Sequence, residues 1–262
     1  MSVLIAIPAR HASTRYPGKP LVLLKGPDGE KTLIHRSWLA AMAVRGVARV
    51  VVATDDDRIR DHAIGFGAEV VMTAASAQNG TERCAEVAAL LPGFDVVVNL
   101  QGDAPLTPAW FVEDLVTALR ADPGADIATP VLRCDGRALN GLLADRRAGR
   151  VGGTTAVFGA GMRGLYFSKE VIPFTPRLYS DAEDTPVFHH VGVYAYRPAA
   201  LAAYPGWPIG PLETLEGLEQ LRFLENGRAV LCVAVDAKGR QFWELNNPSD
   251  VPLIEAMMAA MG

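Results

Sequence analysis

Apolar and polar positions follow two different periods through the first half of the chain. Short apolar runs predict strands at Val3–Ile7, Val50–Ala53, Glu69–Met72 and Val96–Asn99. Between these runs, Ala, Leu, Val and Ile recur at helical spacing and predict helices at Leu33–Val44, Asp57–Phe66, Thr81–Leu91 and Pro108–Leu119. The alternation indicates a doubly wound α/β fold with a mostly parallel sheet that is covered on both faces. Such sheets bind their ligands at the carboxyl ends of the strands.

The second half of the chain breaks this alternation. Strands are predicted at Leu165–Ser168 and His190–Tyr196 without a helix between them, and Pro173–Pro186, rich in Pro, Asp and Thr, is predicted to be a surface loop. A helix is expected from about Glu213 to Glu225, followed by two more strands and a terminal helix near Pro248–Met261. Strands that follow one another without helices indicate an inserted antiparallel lobe.

No internal repeat or linker divides the sequence. The simplest organisation is therefore a single domain over residues 1–262, with the antiparallel insertion at about residues 130–200. Within the first half, Gly26–Lys31 predicts a hairpin with Asp28-Gly29 as its turn.

Composition and charge narrow the classes of function. Half of the 262 residues are hydrophobic and 21% are charged, which is typical of a globular protein. A net charge of −4 argues against a nucleic-acid partner held by bulk electrostatics. Three widely spaced cysteines, Cys84, Cys134 and Cys232, predict reduced core thiols, not a disulfide framework or a zinc site. With no leader-like or membrane-spanning segment in the sequence, we expect a cytoplasmic protein.

Positive charge is concentrated in one loop. The segment IPARHASTRYPGKPL, residues 7–21, places Arg10, Arg15 and Lys19 within ten residues after the first predicted strand. Two guanidiniums and an ammonium, with a glycine that allows close backbone approach, fit a polyphosphate. The alternative is a basic loop that simply faces water. The loop is not a Walker loop, since PGKP lacks the earlier glycine and has Pro20 where Ser or Thr would bind magnesium.

Two places in the sequence offer carboxylates that could hold a metal: one aspartate and one triplet of aspartates. Asp103 follows the strand predicted at Val96–Asn99, where it could bind a hard cation, although Gly-Asp-Ala-Pro is also an ordinary turn. Asp55-Asp56-Asp57 could be the DxD motif of a metal-dependent glycosyltransferase. The same triplet opens a predicted helix, where N-capping and the helix dipole explain it equally well.

Two later segments carry polar side chains at suggestive spacings. On a strand, His190, Gly192 and Tyr194 would share one face, and the glycine would leave a gap between two hydrogen-bonding rings that could admit a sugar. On the predicted helix, Glu219 and Gln220 fall outside the core spacing, where solvent exposure is the usual reason for such residues.

The motifs together resemble a known family. The pattern IPAR-x-x-S-x-R-x-PGKPL is similar to the signature of 3-deoxy-D-manno-octulosonate (Kdo) cytidylyltransferases, which activate an eight-carbon sugar acid with CTP for lipopolysaccharide assembly. The likeness covers nearly the whole chain in order, through VVATDDDRI (51–59), GTER (80–83), NLQGDAP (99–105), LYFSK (165–169), HVGVYAYR (190–197) and LEQLRFLENG (218–227).

The resemblance implies a reaction and a set of site residues. The anomeric hydroxyl of the sugar would attack the α-phosphate of CTP, pyrophosphate would leave, and Mg²⁺ would assist, in a single nucleotidyltransferase domain that forms homodimers through its inserted strands. Catalytic roles fall to Arg15, Lys19 and Asp103. Nucleotide binding is assigned to Pro8, Ala9, Arg10, Ser13, Arg15, Lys19, Thr54, Asp55, Gly80 and Arg83. Sugar binding is assigned to Gln101, Arg163, Lys169, His190, Tyr194, Glu219 and Gln220.

The sequence departs from the family pattern at several positions. QGDEP has become QGDAP at Ala104, and a histidine and a serine expected before GTER are Ala77 and Asn79. LYFSR has become LYFSK, so Lys169 offers a point charge where arginine would offer a planar fork. These changes point to a subfamily with a variant sugar acid, such as an 8-amino form.

The metal ligands implied by the resemblance are Asp103 and a second aspartate, which aligns with Asn246 in ELNNPSD (244–250). An asparagine carbonyl can bind magnesium without adding charge, and Glu244, two residues earlier on the same face of a strand, is an alternative ligand. The missing aspartate leaves open a non-catalytic protein that only binds CTP.

Overall fold

The structure is a computed structural model that describes residues 2–12, 16–151, 153–240 and 243–260. Its strands are β1 (Val3–Ala9), β2 (Leu23–Gly26), β3 (Gly29–Thr32), β4 (Arg49–Thr54), β5 (Glu69–Met72), β6 (Val96–Leu100), β7 (Ile127–Asp135), β8 (Thr154–Phe158), β9 (Gly164–Ser168), β10 (Asp184–His190), β11 (Val193–Tyr196) and β12 (Val230–Ala234). Its α-helices are α1 (Leu33–Met42), α2 (Asp57–Gly65), α3 (Gly80–Leu90), α4 (Ala109–Ala121), α5 (Gly136–Arg147), α6 (Pro198–Ala203), α7 (Pro211–Glu216), α8 (Leu221–Glu225) and α9 (Val251–Ala260). Short 3₁₀ helices lie at Lys19–Leu21, Ala160–Met162, Tyr204–Gly206 and Pro248–Asp250.

The chain forms two compact units. Unit 1 comprises Met1–Glu113, Val193–Pro205 and Ala237–Gly262, and unit 2 comprises Asp114–Gly192 and Gly206–Asp236. The boundary between the first segments of the two units falls inside α4.

Unit 1 contains the parallel sheet that the sequence predicts. Its strand order is β5-β4-β1-β6-β11, in which the first four strands are parallel and β11 runs antiparallel to β6. The central strands are almost completely buried because apolar residues face helices on both sides, which is why they appear in the sequence as continuous apolar runs. The strands β2 and β3 form a separate hairpin, whose turn is Pro27-Asp28, one residue earlier than predicted.

Side-chain caps explain where the helices of unit 1 begin. The side chains of Thr32, Asp56 and Asn79 accept hydrogen bonds from backbone N–H groups in the first turns of α1, α2 and α3. Gly67, with φ +88°, follows the end of α2. The N-capping explanation of the aspartate triplet is therefore confirmed for Asp56.

Unit 2 contains the antiparallel strands. The strand β7 pairs in parallel with β12 and antiparallel with β10, and β8 pairs antiparallel with both β10 and β9. Together with the parallel sheet of unit 1, these strands confirm the predicted fold class.

Four predictions for the second half were wrong in detail. His190–Tyr196 is not one strand: β10 ends at His190, and Val191 donates from its N–H to the carbonyl of Pro130 instead of continuing the strand. His190, Gly192 and Tyr194 therefore do not share a strand face. The end of the predicted loop, Asp184–Pro186, belongs to β10.

The predicted helix from Glu213 to Glu225 is two helices, because Gly217 adopts φ +62° and ends α7. Only β12 follows α8 among the described residues, so the second expected strand is missing and Glu244 and Asn246 lie in irregular structure.

The three cysteines are buried thiols that form no disulfide bond within the described part of the chain. Burial raises the pKa of the Cys134 thiol to about 11 and that of the Cys232 thiol to about 12.

Within the described part of the chain, no helix is both long and apolar enough to cross a membrane.

Candidate active site

The carboxyl ends of β1 and β6 bring together a lysine and an aspartate. Gly18, with φ +71°, turns the chain into the 3₁₀ helix that begins at Lys19, and the Lys19 ammonium donates to Asp103 Oδ2 at 2.6 Å. The two side chains are 13% and 26% exposed. Asp103 Oδ1 makes no hydrogen bond to the described residues. Because a partly exposed ion pair contributes only about 0–1 kcal/mol, a phosphate and a cation could compete for these two side chains at little cost.

The basic loop reaches from β1 towards the segment before α3. Arg10 is exposed, and its guanidinium donates to the backbone carbonyl of Gln78 at 3.0 Å. The loop closes through a hydrogen bond from Gly18 N to the His11 carbonyl at 2.9 Å. Ser13 and Arg15, two of the predicted nucleotide ligands, lie outside the described residues.

Gly80, the first residue of α3, packs closely against β1, β6 and the residue that follows β6. A Cβ atom on Gly80 would lie 2.9 Å from Asn99 Nδ2, 3.3 Å from Pro8 Cγ and 3.4 Å from Gln101 Nε2. The structure thus groups Pro8, Gly80 and Gln101, three of the sequence-predicted site residues, at the N-terminus of α3. Asn79 caps this helix by accepting from Glu82 N at 2.9 Å, a role that the serine of the family pattern could also fill.

Asn99 is a buried polar residue that the sequence reasoning missed. It is fully buried, it lies opposite Tyr194 of β11, and neither atom of its amide has a hydrogen-bond partner among the described residues. Burying an amide without a partner costs about 1–3 kcal/mol. The signal available in the sequence was one asparagine at the end of the apolar run Val96–Val98.

Arg83 is a buried arginine of α3. Its guanidinium is fully buried, contacts Asp55 Oδ1 at 3.3 Å and is hydrogen-bonded to Thr73 Oγ1. Burial lowers the pKa of Arg83, and the charge of Asp55 opposes that shift. Thr54, at the end of β4, is fully buried as well. Arg83 and Thr54 are thus buried, whereas Asp55, the ion-pair partner of Arg83, is 19% exposed.

The aspartate triplet is paired with arginines. Besides the Asp55 contact, Asp56 accepts from Arg58 at 2.6 Å and Asp57 from Arg60 at 2.5 Å. Hydrogen bonding to Arg58 lowers the pKa of Asp56 to about 2. Each carboxylate thus has a cationic partner within unit 1, which argues against a DxD metal site.

The segment that contains Asn246 lies beside Asp103. Leu245 N donates to the Asp103 carbonyl at 2.9 Å, and Asn246 N donates to Asp250 Oδ2 at 2.9 Å. Glu244 and Asn246 are both half-buried. The described residues contain no group of three or more His, Cys, Asp or Glu side chains that could enclose a metal. One carboxylate with an amide nearby still fits magnesium, which takes most of its ligands from water and substrate phosphates.

Unit 2 contains the other predicted sugar-binding residues. Arg163 pairs with Asp122 at 2.7 Å, and the ring of His190, 5% exposed, is hydrogen-bonded through Nε2 to Thr129 Oγ1 at 2.9 Å. Burial, with a smaller contribution from the charge of His189, lowers the pKa of His190 to about 3, so its ring is neutral.

Lys169 directly follows β9, and Glu219 and Gln220 lie between α7 and α8. The Lys169 ammonium is 3.2 Å from the point where a Cβ of Gly217 would lie, and Gln220 is a buried residue that directly precedes α8. The predicted sugar-binding residues of unit 2 differ in burial: Lys169 and Glu219 are half-buried, whereas His190 and Gln220 are buried.

A parallel sheet that presents a lysine–aspartate pair at its carboxyl edge, next to a helix N-terminus, suits chemistry on a nucleotide's phosphates. The fold and this edge define a nucleotide-dependent transferase.

Comparison with known proteins makes the class more specific. Residues 4–231 match the family model described as Cytidylyltransferase. A 3-deoxy-manno-octulosonate cytidylyltransferase of Maricaulis maris is 44% identical over 100% of this chain and 99% of its own length. An 8-amino-3,8-dideoxy-manno-octulosonate cytidylyltransferase of Shewanella piezotolerans is 37% identical over 99% of both chains. A solved structure of CMP:2-keto-3-deoxy-manno-octonic acid synthetase complexed with CTP superimposes with a TM-score of 0.83, at 32% identity over 100% of both chains.

The chain belongs to the 3-deoxy-manno-octulosonate cytidylyltransferase family of nucleotidyltransferases.

Proposed function

We propose that this enzyme forms a CMP-sugar and pyrophosphate from CTP and a Kdo-like 3-deoxy-octulosonic acid, for lipopolysaccharide biosynthesis. The observation that carries the proposal is the pair of Lys19 and Asp103 at the carboxyl ends of β1 and β6, where a parallel sheet binds its ligand. The family match and the CTP complex of the structural relative support it.

On the nucleotide side, the proposal assigns the triphosphate to the cations of the loop at residues 7–21. Lys19, Arg10 and Arg15 neutralise its charge, which is what transfer at a phosphate needs more than a covalent nucleophile. Close packing at Gly80 lets the start of α3 approach the nucleotide. The remaining nucleotide residues of the proposal are Pro8, Ala9, Ser13, Thr54, Asp55 and Arg83. Thr54 and Arg83 are buried and Asp55 is paired with Arg83, so the proposal gives these three a supporting role.

Magnesium is the cofactor that the proposal requires. Asp103 would hold it, with Asn246 or Glu244 as a second ligand, and the cation would supply charge neutralisation at the reacting phosphate. Two observations support this: Asp103 Oδ1 makes no hydrogen bond to the residues that the structure describes, and Leu245 N donates to the backbone carbonyl of Asp103.

For the sugar acid, the proposal retains Gln101 and Tyr194 in unit 1 and Arg163, Lys169, His190, Glu219 and Gln220 in unit 2. Relatives named for Kdo and for its 8-amino form match over nearly the whole chain, so both sugar acids are candidates. A single nucleotidyltransferase domain with a dimerising insertion at about residues 130–200, a homodimer and a cytoplasmic location stay predictions from the sequence.

The experiment that tests the proposed function is steady-state pyrophosphate release with CTP and magnesium, in which Kdo, 8-amino-Kdo and a nine-carbon sialic-type acid are compared. Release with either octulosonic acid supports the proposal and identifies the preferred sugar. CTP binding without pyrophosphate release with any of the three acids would favour a non-catalytic CTP-binding protein, and Asn246 would then be the first residue to restore to aspartate.

A further inference from the structure

The carboxylate of Glu216, the last residue of α7, is held by three donors from β9 and the residue after it. It accepts from Tyr166 Oη at 3.2 Å, from Ser168 Oγ at 2.6 Å and from the backbone N–H of Lys169 at 2.9 Å. Burial and the charge of Glu216 raise the pKa of Tyr166, which keeps its hydroxyl protonated as a donor. Three donors on one half-buried carboxylate fix the position of the Lys169 backbone.

Glu216 fixes the backbone of Lys169, but no described residue anchors the end of its side chain. The ammonium makes no hydrogen bond or ion pair with the described residues, although Lys169 is half-buried. It lies over Gly217, whose missing side chain leaves room for it: a Cβ there would be 3.2 Å from Nζ. A half-buried ammonium without a protein partner is suited to an anionic ligand.

Glu216 also precedes the turn that joins α7 to α8. Gly217 ends α7 in the left-handed conformation, with its N–H bonded to the Glu213 carbonyl at 2.7 Å, and the chain continues through Glu219 and Gln220 into α8. The buried pair of Glu213 and Arg222 holds α7 against α8. Glu216 is therefore the link between the strand that carries Lys169 and the turn that carries Glu219 and Gln220.

We infer that Glu216 is a positioning residue for the sugar acid: by anchoring the Lys169 backbone, it holds the Lys169 ammonium over Gly217, where the ammonium binds the substrate's carboxylate. This inference rests on the proposed function. A glutamate that served only to dock α7 would affect stability without a selective effect on one substrate. A positioning residue affects the KM for the sugar acid and acts through Lys169.

The test is a double-mutant cycle with Glu216→Gln and Lys169→Met, together with Glu170→Gln as a matched control. Glu170 is the neighbouring carboxylate, 60% exposed and paired with Arg146, so its substitution removes the same charge and an ion pair one residue from Lys169. For every protein, kcat, the KM for Kdo and for CTP, and Tm are measured. If Glu216→Gln does not fold, Tyr166→Phe replaces it, since that change removes only the longest of the three hydrogen bonds.

We expect Glu216→Gln to raise the KM for Kdo by about tenfold, which is the loss expected for a charge-assisted hydrogen bond of about 1.4 kcal/mol, with the KM for CTP within about twofold of wild type. Tyr166→Phe should raise the KM for Kdo by about threefold. The double variant should be no worse than Lys169→Met alone, because the two residues act as one unit. Glu170→Gln should match wild type.

Two results would overturn the inference: a wild-type KM for Kdo in a folded Glu216 or Tyr166 variant, or effects of Glu216→Gln and Lys169→Met that multiply in the double variant. Absence of turnover in the wild-type and control proteins is a different result, because it contradicts the proposed function and removes the inference with it.

Discussion

The Lys19 ammonium and the Asp103 carboxylate meet at 2.6 Å where two neighbouring parallel strands of unit 1 end. Both side chains are partly buried, and the proposed function gives each a role: the lysine as a cation for phosphate and the aspartate as a carboxylate for magnesium. Their pairing keeps the two charges in place before substrate arrives, at a net contribution to stability of at most about 1 kcal/mol.

Asp103→Asn removes the carboxylate and keeps the shape of the side chain. We expect kcat to fall by at least about a hundredfold, as when a preorganised electrostatic group is removed from an active site. The free energy of unfolding should change by less than about 1 kcal/mol, because the ion pair is partly exposed. Activity assays at limiting magnesium and urea unfolding check both values. Asp114→Asn, at an exposed position of α4, is the control, and near-normal turnover by Asp103→Asn would refute the role of this carboxylate.

Asn246→Asp restores the carboxylate of the family pattern next to Asp103. A second negative charge should lower the magnesium concentration required for half-maximal activity, because Mg²⁺ binds carboxylates more strongly than amides. Magnesium titrations of wild type, Asn246→Asp and Glu244→Gln measure the effect. An unchanged requirement in Asn246→Asp, with an increased one in Glu244→Gln, would assign the second ligand to Glu244.

Gly80→Ala tests the crowded start of α3. The added Cβ would lie 2.9 Å from Asn99 Nδ2 and 3.3 Å from Pro8, so one of these segments must move. We expect kcat/KM for CTP to fall by about tenfold or more, since a shift of about 1 Å in a site can cost about a hundredfold. In α5, Gly141 has open space around its Cβ position, and Gly141→Ala should leave activity unchanged and stabilise the protein by about 0.5–1 kcal/mol. Equal kinetics for the two variants would contradict the assignment of Gly80.

Arg222→Met removes one partner of a buried ion pair in unit 2. Arg222 and Glu213 are 2% and 9% exposed, so the variant leaves a buried carboxylate without its partner and should lose about 3–5 kcal/mol of unfolding free energy. The more exposed pair of Arg150 and Asp145, 66% and 28% exposed, is the comparison: Arg150→Met should lose no more than about 1 kcal/mol. Chemical denaturation measures both, and a loss in Arg222→Met as small as that in Arg150→Met would show that the buried pair contributes little.

The buried ring of His190 makes stability depend on pH. Its pKa is lowered from 6.5 to about 3 in the folded state, so below pH 6.5 the unfolded chain binds a proton that the folded chain does not. The contribution is therefore fully present above pH 6.5 and is lost as the pH falls towards 3, at up to about 1.4 kcal/mol per pH unit. His190→Gln removes this titration while an amide can still reach Thr129. Unfolding curves between pH 7 and 4.5 should show a smaller slope for the variant; parallel curves would contradict a neutral, buried His190.

The parallel half of the fold could be predicted from the sequence because its strands are buried on both faces. A continuous apolar run such as Val96–Val98, with predicted helices on either side, indicates a central strand. The strand was predicted at Val96–Asn99, and in the structure it extends one residue further, to Leu100. The break between β10 and β11 could not be predicted, since HVGVYAY alternates like one strand. In the structure the break falls at Val191, whose N–H donates to the carbonyl of Pro130.

The sequence indicates the chemistry of the site where unusual residues cluster, as the cations do in the loop at residues 7–21, and their role as nucleotide ligands stays a prediction. The chemistry could not be predicted where the residue type is common. Glu216 looks like any helix glutamate until Tyr166, Ser168 and Lys169 are seen to donate to it, and Asn99 looks like the end of a strand until its amide is seen to be buried.

The measurement that tests the central claim most directly is the ³¹P NMR spectrum of the enzyme incubated with CTP, magnesium and Kdo or 8-amino-Kdo. We predict that the triphosphate signals disappear and are replaced, in equal amounts, by inorganic pyrophosphate and by the phosphodiester of a CMP-sugar. Triphosphate signals that persist with both sugar acids, or CMP that forms without a sugar phosphodiester, would contradict the assignment of this chain as a CMP-sugar-forming cytidylyltransferase.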